Sequence, residues 1–195
     1  MEDKQEPVNI ANVDDIISLY EKYGDILYSG EIISQKEHAI TTALEAKRLG
    51  ADNSVFVACL LHDIGHLYGL TDPQYKSMEN CGIEGHETIG KNLLKSIGFN
   101  DKVCSLVYNH VDAKRYLVST DKDYYDQLSD ASKITLKYQG KEMSEDEVKA
   151  FREDPLFEES ILLRKCEEYT KIKVTGLPEF KEFKELINAE IVNSN

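Results

Sequence analysis

Leu60-Leu61-His62-Asp63-Ile64-Gly65-His66 is the stretch on which the reading of this chain turns. A histidine and an aspartate stand side by side at the end of an apolar run that contains Val55, Phe56, Val57, Leu60 and Leu61. A helix that is apolar on most of its sides is a central, buried one. Burying Asp63 in such surroundings is expensive unless a cation compensates it. Neutral imidazole nitrogen and carboxylate oxygen suit iron, manganese, zinc and nickel, whereas a calcium site is mostly oxygen. A carboxylate can bridge two cations and a single imidazole cannot, so the dipeptide offers one terminal ligand and one bridge.

Outward from this stretch, the remaining histidines fall into register. The chain has five, and His38, His62, His86 and His110 follow one another at equal intervals of 24 residues, with His66 beside the HD pair. Each interval is a helix plus a connection, so the pattern puts one histidine on each of four successive helices or their ends. Facing helices of a bundle are where di-metal sites are built. An isolated HD dipeptide carries little information; the ordered set carries much more.

The hydrophobic periodicity is helical nearly throughout, so the expected fold is all-α. Val13 to Tyr28 carries Ile16, Ile17, Tyr20 and Tyr23 at helical spacing, with Asp14 and Asp15 in the first turn where acids suit the helix dipole. Gln35 to Leu49 is a second helix, stopped by Gly50, and Asp52 or Asn53 caps the third. Gly65 to Gly85 reads as a long loop of the kind that is often functional. Further helices are expected over about Glu84 to Ile97, Asp101 to Tyr116 and Gln127 to Tyr138, then from Ser144 onward, from Pro155 to about Thr170, and after Pro178. No strand pattern, repeat or low-complexity segment is visible. With 195 residues and no break in composition, residues 1–195 are expected to form one domain, with a polar N-terminal tail over about 1–12 and a frayed end over about 189–195.

The formal net charge of −13 argues against sequence-independent binding of nucleic acid, which needs basic surface against phosphates. It leaves room for a small anionic substrate, because a few pocket cations set the local field. No apolar run approaches the roughly 20 residues of a membrane span. The first ten residues are polar and do not read as a signal or transit peptide. Four cysteines without a C-x-x-C pair suggest a reducing, cytoplasmic setting. Oligomeric state is not legible.

The ordered H…HD…H…H set is similar to that of the HD-domain superfamily, an all-α fold of mostly metal-dependent phosphohydrolases with a smaller branch of mixed-valent di-iron oxygenases. Further strings resemble that branch, the PhnZ-like phosphonate dioxygenases. They are Tyr28-Ser29-Gly30-Glu31, Gln35-Lys36-Glu37-His38, Gly85-His86-Glu87, His110-Val111-Asp112-Ala113-Lys114-Arg115-Tyr116-Leu117 and Leu128-Ser129-Asp130-Ala131-Ser132, and the likeness runs on through Leu163-Arg164. It covers roughly Tyr28 to Lys171. The resemblance implies an HD-domain helical bundle with the di-metal site between central helices. It implies two iron ions in a mixed-valent Fe(II)/Fe(III) pair, O2 as co-substrate, and a small organophosphonate whose carbon–phosphorus bond is cleaved to release phosphate. His38, His62 and Asp63 would hold one iron, and Asp63 would bridge to the other, bound by His86 and His110. His66, Lys114, Ser132 and Arg164, with Gln35, would surround the phosphonate. Tyr28 and Glu31 would lie on a mobile loop beside the second iron.

Physical sense supports the cations: Lys114 lies one helical turn after His110, and Arg164 offers a planar fork suited to phosphonate oxygens. One departure matters. The family closes its ligand set with a string like R-x-x-D-D, whereas this chain has Arg164-Lys165-Cys166-Glu167-Glu168. Glu167 stands at the ligand position, and its extra methylene displaces the carboxylate by about 1.5 Å unless the helix adjusts. Either Glu167 ligates with an adjusted helix, or the first iron site is weak, or the protein has changed substrate or lost activity; we take the first. The ligand set alone is equally compatible with an HD-type phosphohydrolase, and the change at Glu167 also permits a catalytically silent, metal-poor homologue.

Overall fold

The computed structural model describes residues 8–27, 32–169 and 174–192. Its elements are α1 (Val13–Tyr23), α2 (Gln35–Arg48), α3 (Asn53–Leu61), α4 (Ile64–Gly69), α5 (His86–Ile97), α6 (Asp101–Thr120), α7 (Lys122–Gln127), α8 (Asp130–Tyr138), α9 (Glu145–Arg152) and α10 (Phe157–Tyr169). A 3₁₀ turn (Phe180–Phe183) and α11 (Lys184–Asn188) follow. Among the described residues the only β pairings are isolated bridges. The architecture is the all-α helical bundle expected from the sequence.

Helix α3 is the centre. Every residue from Val55 to Leu61 is buried, because no face of this segment is polar. It packs against α2, α6 and α10, while α5 packs on both α4 and α6. Full burial of each large aliphatic side chain contributes about 1.5–3 kcal/mol, so this helix anchors the core. Its N-terminus is fixed by Asp52, whose carboxylate accepts from the Val55 N–H. Asn12, Ser34 and Ser144 close capping boxes with Asp15, Glu37 and Glu147, each cap stabilising its helix by about 1 kcal/mol.

Several boundaries differ from the sequence reading. Helix α1 stops at Tyr23, and residues 24–27 of the segment read as helical lie outside it. The stretch from Gly65 to Gly69, read as the start of a loop, is helical: α4 is a short second helix set off from α3 by the HD pair. The helix read over Gln127 to Tyr138 divides, with α7 ending at Gln127 and Ser129 capping α8. The ends are less loose than their polarity suggests. Ile10 is buried in the core beside α1. At the other end, Glu190 is buried and accepts hydrogen bonds from Asn53, from Ser54 Oγ (2.6 Å) and from Asn100 Nδ2 (2.5 Å). Its backbone carbonyl caps the Asn100 N–H at 2.9 Å, and Val192 N–H donates to Gly98. The stretch from 189 to 192 is therefore tied to the starts of α3 and α6.

Candidate metal centre

The HD pair is the joint between two helices. His62 caps the C-terminus of α3 with helical φ, and Asp63, at φ −99° and ψ 9°, begins α4. The break turns Asp63 across the bundle axis toward histidines from three other helices. Its Oδ2 lies 3.3 Å from His62 Nε2 and 3.9 Å from His38 Nε2. Its Oδ1 lies 3.4 Å from His86 Nε2 and 3.7 Å from His110 Nε2. The two oxygens of one carboxylate thus face two sets of nitrogens. Glu167 comes in from α10, and its carboxylate lies with ligand atoms of His38 and His62 inside a 4.8 Å group. The extra methylene therefore does not keep this side chain from the cluster. All of these residues are buried.

Hydrogen bonds decide which imidazole nitrogen faces the cluster. His62 Nδ1 donates to the Cys59 carbonyl at 2.8 Å, and His110 Nδ1 to the Val107 carbonyl at 2.6 Å. Both use the carbonyl three residues earlier in their own helix, which leaves Nε2 as the nitrogen available to a cation. His66 is the reverse. Its Nδ1 accepts from the Ile83 N–H at 2.9 Å, so the neutral ring carries its proton on Nε2, 3.8 Å from Asp63 Oδ1. Ligand-atom distances alone group His66 with Asp63 and His86. Its tautomer sets it apart: a ring that presents N–H is a hydrogen-bond donor, and His110 is the better companion of His86.

Two glycines make this possible. Gly82, at φ +102°, lies flat against the His66 ring, where a Cβ would stand 2.5 Å from Cε1. Gly65 lets α4 meet the start of α5, where a Cβ would be 2.0 Å from the His86 carbonyl oxygen. The loop after α4 thus orients His66 from the side opposite the cluster.

The site's electrostatics fit a cation. Burial pushes His110 down to about 4, and burial drives His86 well below the ordinary imidazole range, so both rings are neutral at pH 7. Burial also opposes a charge on His62, but the Asp63 carboxylate outweighs it and holds this ring at about 9. Burial would raise Asp63 as well, yet the surrounding imidazoles, His62 first, keep it well below the usual carboxylate range. In the metal-free protein a proton on His62 therefore stands where a cation would. His62 Nε2 and Asp63 Oδ2 are fully buried and have no hydrogen-bond partner among the described residues. His86 Nε2 and His110 Nε2 are 3.0 Å apart. Donor types, separations and unsatisfied atoms all fit a pair of metal ions sharing Asp63.

A polar cavity opens beside Asp63, and Gln35, His66, Lys114, Ser132 and Arg164 line it together with His86, His110 and Glu167. Every substrate residue expected from the sequence reaches this one cavity. Two cations are buried there in a chain whose net charge is −13. Lys114, one turn beyond His110 on α6, donates to Thr135 Oγ1 (2.8 Å) and Gln139 Oε1 (2.5 Å), both from the α8 region. Arg164 donates through Nε to the Tyr124 hydroxyl (2.7 Å), through Nη1 to Glu167 (2.5 Å) and through Nη2 to Glu168. The guanidinium thus touches the candidate ligand Glu167 and borders the cavity at once. Thr135, Gln139, Tyr124 and Glu168 orient the two cations, a role that the sequence reading assigns to none of them. Tyr28 and Glu31 lie outside the described residues.

Residues 36–165 match the model of the HD domain. The chain belongs to the HD-domain family. The match begins just before His38 and ends just after Arg164, so it takes in the histidines and Asp63. Curated relatives share most of this HD-domain chain. An uncharacterized protein of Acanthamoeba polyphaga mimivirus is 41% identical over 163 residues, 84% of this chain and 74% of that one. The [1-hydroxy-2-(trimethylamino)ethyl]phosphonate dioxygenase (glycine-betaine-forming) of Leisingera caerulea is 32% identical over 184 residues, 92% of this chain and 91% of that one. The hydroxymethylphosphonate dioxygenase of Gimesia maris is 33% identical over 172 residues, 88% and 84% of the two chains. Among the described residues, no helix of this HD-domain protein is long and apolar enough to cross a membrane.

Proposed function

We propose that this protein is a di-iron oxygenase that uses O2 to cleave the carbon–phosphorus bond of a small 1-hydroxyphosphonate. The observation that carries the reading is the juxtaposition of a metal-suited cluster, divided between the two oxygens of Asp63, with a cavity walled by the buried cations Lys114 and Arg164. Two relatives matched over more than four-fifths of both chains are named as phosphonate dioxygenases, which favours this reading over hydrolysis.

His38, His62, Glu167 and Asp63 Oδ2 would hold one ion, and Asp63 Oδ1, His86 and His110 the other. Iron, when bound, supplies the redox chemistry that O2 requires and the Lewis acidity to hold the substrate's hydroxyl and phosphonate oxygens. The chain's own groups bind and orient. Lys114 and Arg164 supply positive charge to the phosphonate, the ammonium as a point charge and the guanidinium from its place against Glu167 and Glu168. His66 Nε2–H donates to a substrate oxygen, a role supported by the Ile83 contact that occupies Nδ1. The Ser132 hydroxyl and the Gln35 amide complete the cradle. Tyr28 and Glu31, by family resemblance, guard the second ion. Both atoms of O2 are retained: the carbon ends as a carboxylate, such as glycine, and phosphorus leaves as phosphate. The setting proposed is cytoplasmic, in line with four free cysteines.

Phosphate release by iron(II)-loaded protein tests the reading, with 2-amino-1-hydroxyethylphosphonate, its trimethylated analogue and hydroxymethylphosphonate as substrates, each with and without oxygen. Release from one of them only with oxygen is expected. Equal release without oxygen means a phosphohydrolase. No release from any of the three, with both ions bound, refutes the assignment.

A further inference from the structure

His86 differs from the other candidate ligands in how its outer nitrogen is held. His62 and His110 lie late enough in α3 and α6 to donate Nδ1 to a carbonyl three residues earlier. His86 is the first residue of α5, preceded by Gly85 in the left-handed region at φ +72°. Three residues back the chain is a loop, so the helical carbonyl the other rings use does not exist. The neighbour of His86 Nδ1 is instead a carboxylate, Glu87 Oε2, at 3.4 Å. Both atoms are buried, and neither has a hydrogen-bond partner among the described residues. Glu87 Oε1, by contrast, is engaged by the Thr88 hydroxyl.

We infer that Glu87 is the positioning residue for His86, the side-chain substitute for the missing helix carbonyl. This rests on the metal-pair reading above. A cation held by Nε2 of both His86 and His110, now 3.0 Å apart, leaves no room for a proton between them. The one proton of neutral His86 then sits on Nδ1, facing Glu87 Oε2. The carboxylate fixes ring orientation and makes the imidazole a stronger donor toward the ion. The first turn of α5 also favours a negative charge at this place. The consequence is asymmetric: the ion bound by His86 gains an anionic partner behind its ligand, while His62, in the other set, is backed by a neutral carbonyl. The Gly85-His86-Glu87 string is the sequence trace of this device.

The test is anaerobic iron(II) titration of the full chain, wild type against Glu87→Ala and Glu87→Gln, by chelator competition and metal analysis, with thermal melting of the metal-free proteins alongside. Wild type is expected to take two ions. Glu87→Ala should bind one of them about 10–100-fold more weakly and leave the other unchanged. Glu87→Gln, which keeps an acceptor oxygen, should recover part of that loss, and the metal-free melting temperatures should match. Unchanged affinity for both ions in Glu87→Ala overturns the inference. Equal loss of both ions with a lowered metal-free melting temperature also overturns it, showing a role in folding only. A wild-type protein that binds no second ion overturns the metal-pair reading and this inference together.

Discussion

Replacing Gly65 by alanine tests whether the meeting of α4 and α5 sets the metal geometry. The added Cβ would stand 2.0 Å from the His86 carbonyl oxygen, 2.7 Å from its carbonyl carbon and 3.0 Å from the Gly90 nitrogen. These are backbone atoms, so no side chain can swing away. Restoring an ordinary contact of 3.4 Å requires the two backbones to part by about 1.4 Å. His86 belongs to the displaced helix start, while Asp63 stays with the α3–α4 joint, so their separation, now 3.4 Å, changes by a comparable amount. Metal sites hold their ligands to about 0.2 Å. The ion shared by His86, His110 and Asp63 should therefore be lost or bound at least tenfold more weakly. Overpacking costs about 1–3 kcal/mol, which for a chain of this size lowers the melting temperature by about 2–12 °C. The assay is melting of the metal-free protein, followed by iron(II) titration. Gly90→Ala is the control: its Cβ would meet a Val107 methyl at 3.2 Å, a side chain that can yield, and a small effect is expected. Wild-type metal affinity in Gly65→Ala would refute the argument that this close approach positions His86.

Other outcomes follow from the same geometry. Lys114→Met removes a buried cation from the cavity; loss of a charge-assisted bond costs about 1.5–3 kcal/mol, so kcat/KM for the phosphonate should fall by about 10–150-fold with both ions retained. An unchanged kcat/KM would remove Lys114 from substrate binding. His62, held at about 9 by Asp63 against the effect of burial, must lose its proton to ligate. Calorimetry in buffers of different ionisation enthalpy should show about one proton released on metal binding at pH 7.5, declining above pH 9. Because that pKa is raised on folding, its contribution to the metal-free fold is full below the unfolded value of about 6.5 and fades as pH rises through 9. The metal-free melting temperature should fall over that window, and a flat profile would contradict the assignment. Glu190→Ala strands Asn53, Ser54 and Asn100 together, and a drop of about 2–4 kcal/mol in urea unfolding is expected without loss of metal.

Much of this was written locally in the chain. The equal spacing of His38, His62, His86 and His110 placed one imidazole per helix, and the apolar run before His62 made α3 central, because both depend on helical period and burial alone. The caps at Ser34, Asp52 and Ser144 are likewise set by side chains within three residues of the backbone they satisfy. The short helix α4 is not legible because Gly69, Pro73 and Gly82 give the whole stretch the look of a loop, and only packing against α5 shows that Gly65 is there for close approach. The polar C-terminus read as frayed because its partners, Asn53 and Asn100, are far away in sequence. In the site, residue types are legible from the chain itself, roles only through the family resemblance, and geometry not at all. Which Asp63 oxygen faces which histidines, why the loop at Ile83 leaves His66 donating from Nε2, and how Arg164 comes to touch Tyr124 all depend on how elements remote in sequence meet, whereas the pairs Arg164 makes with Glu167 and Glu168 are local, three and four residues on along α10. Sequence supplied the ligands, since their chemistry is intrinsic to each side chain. Their division between two sets, implied in the sequence only by the family resemblance, rests physically on tertiary structure, because it is fixed by distances between helices that are remote along the chain.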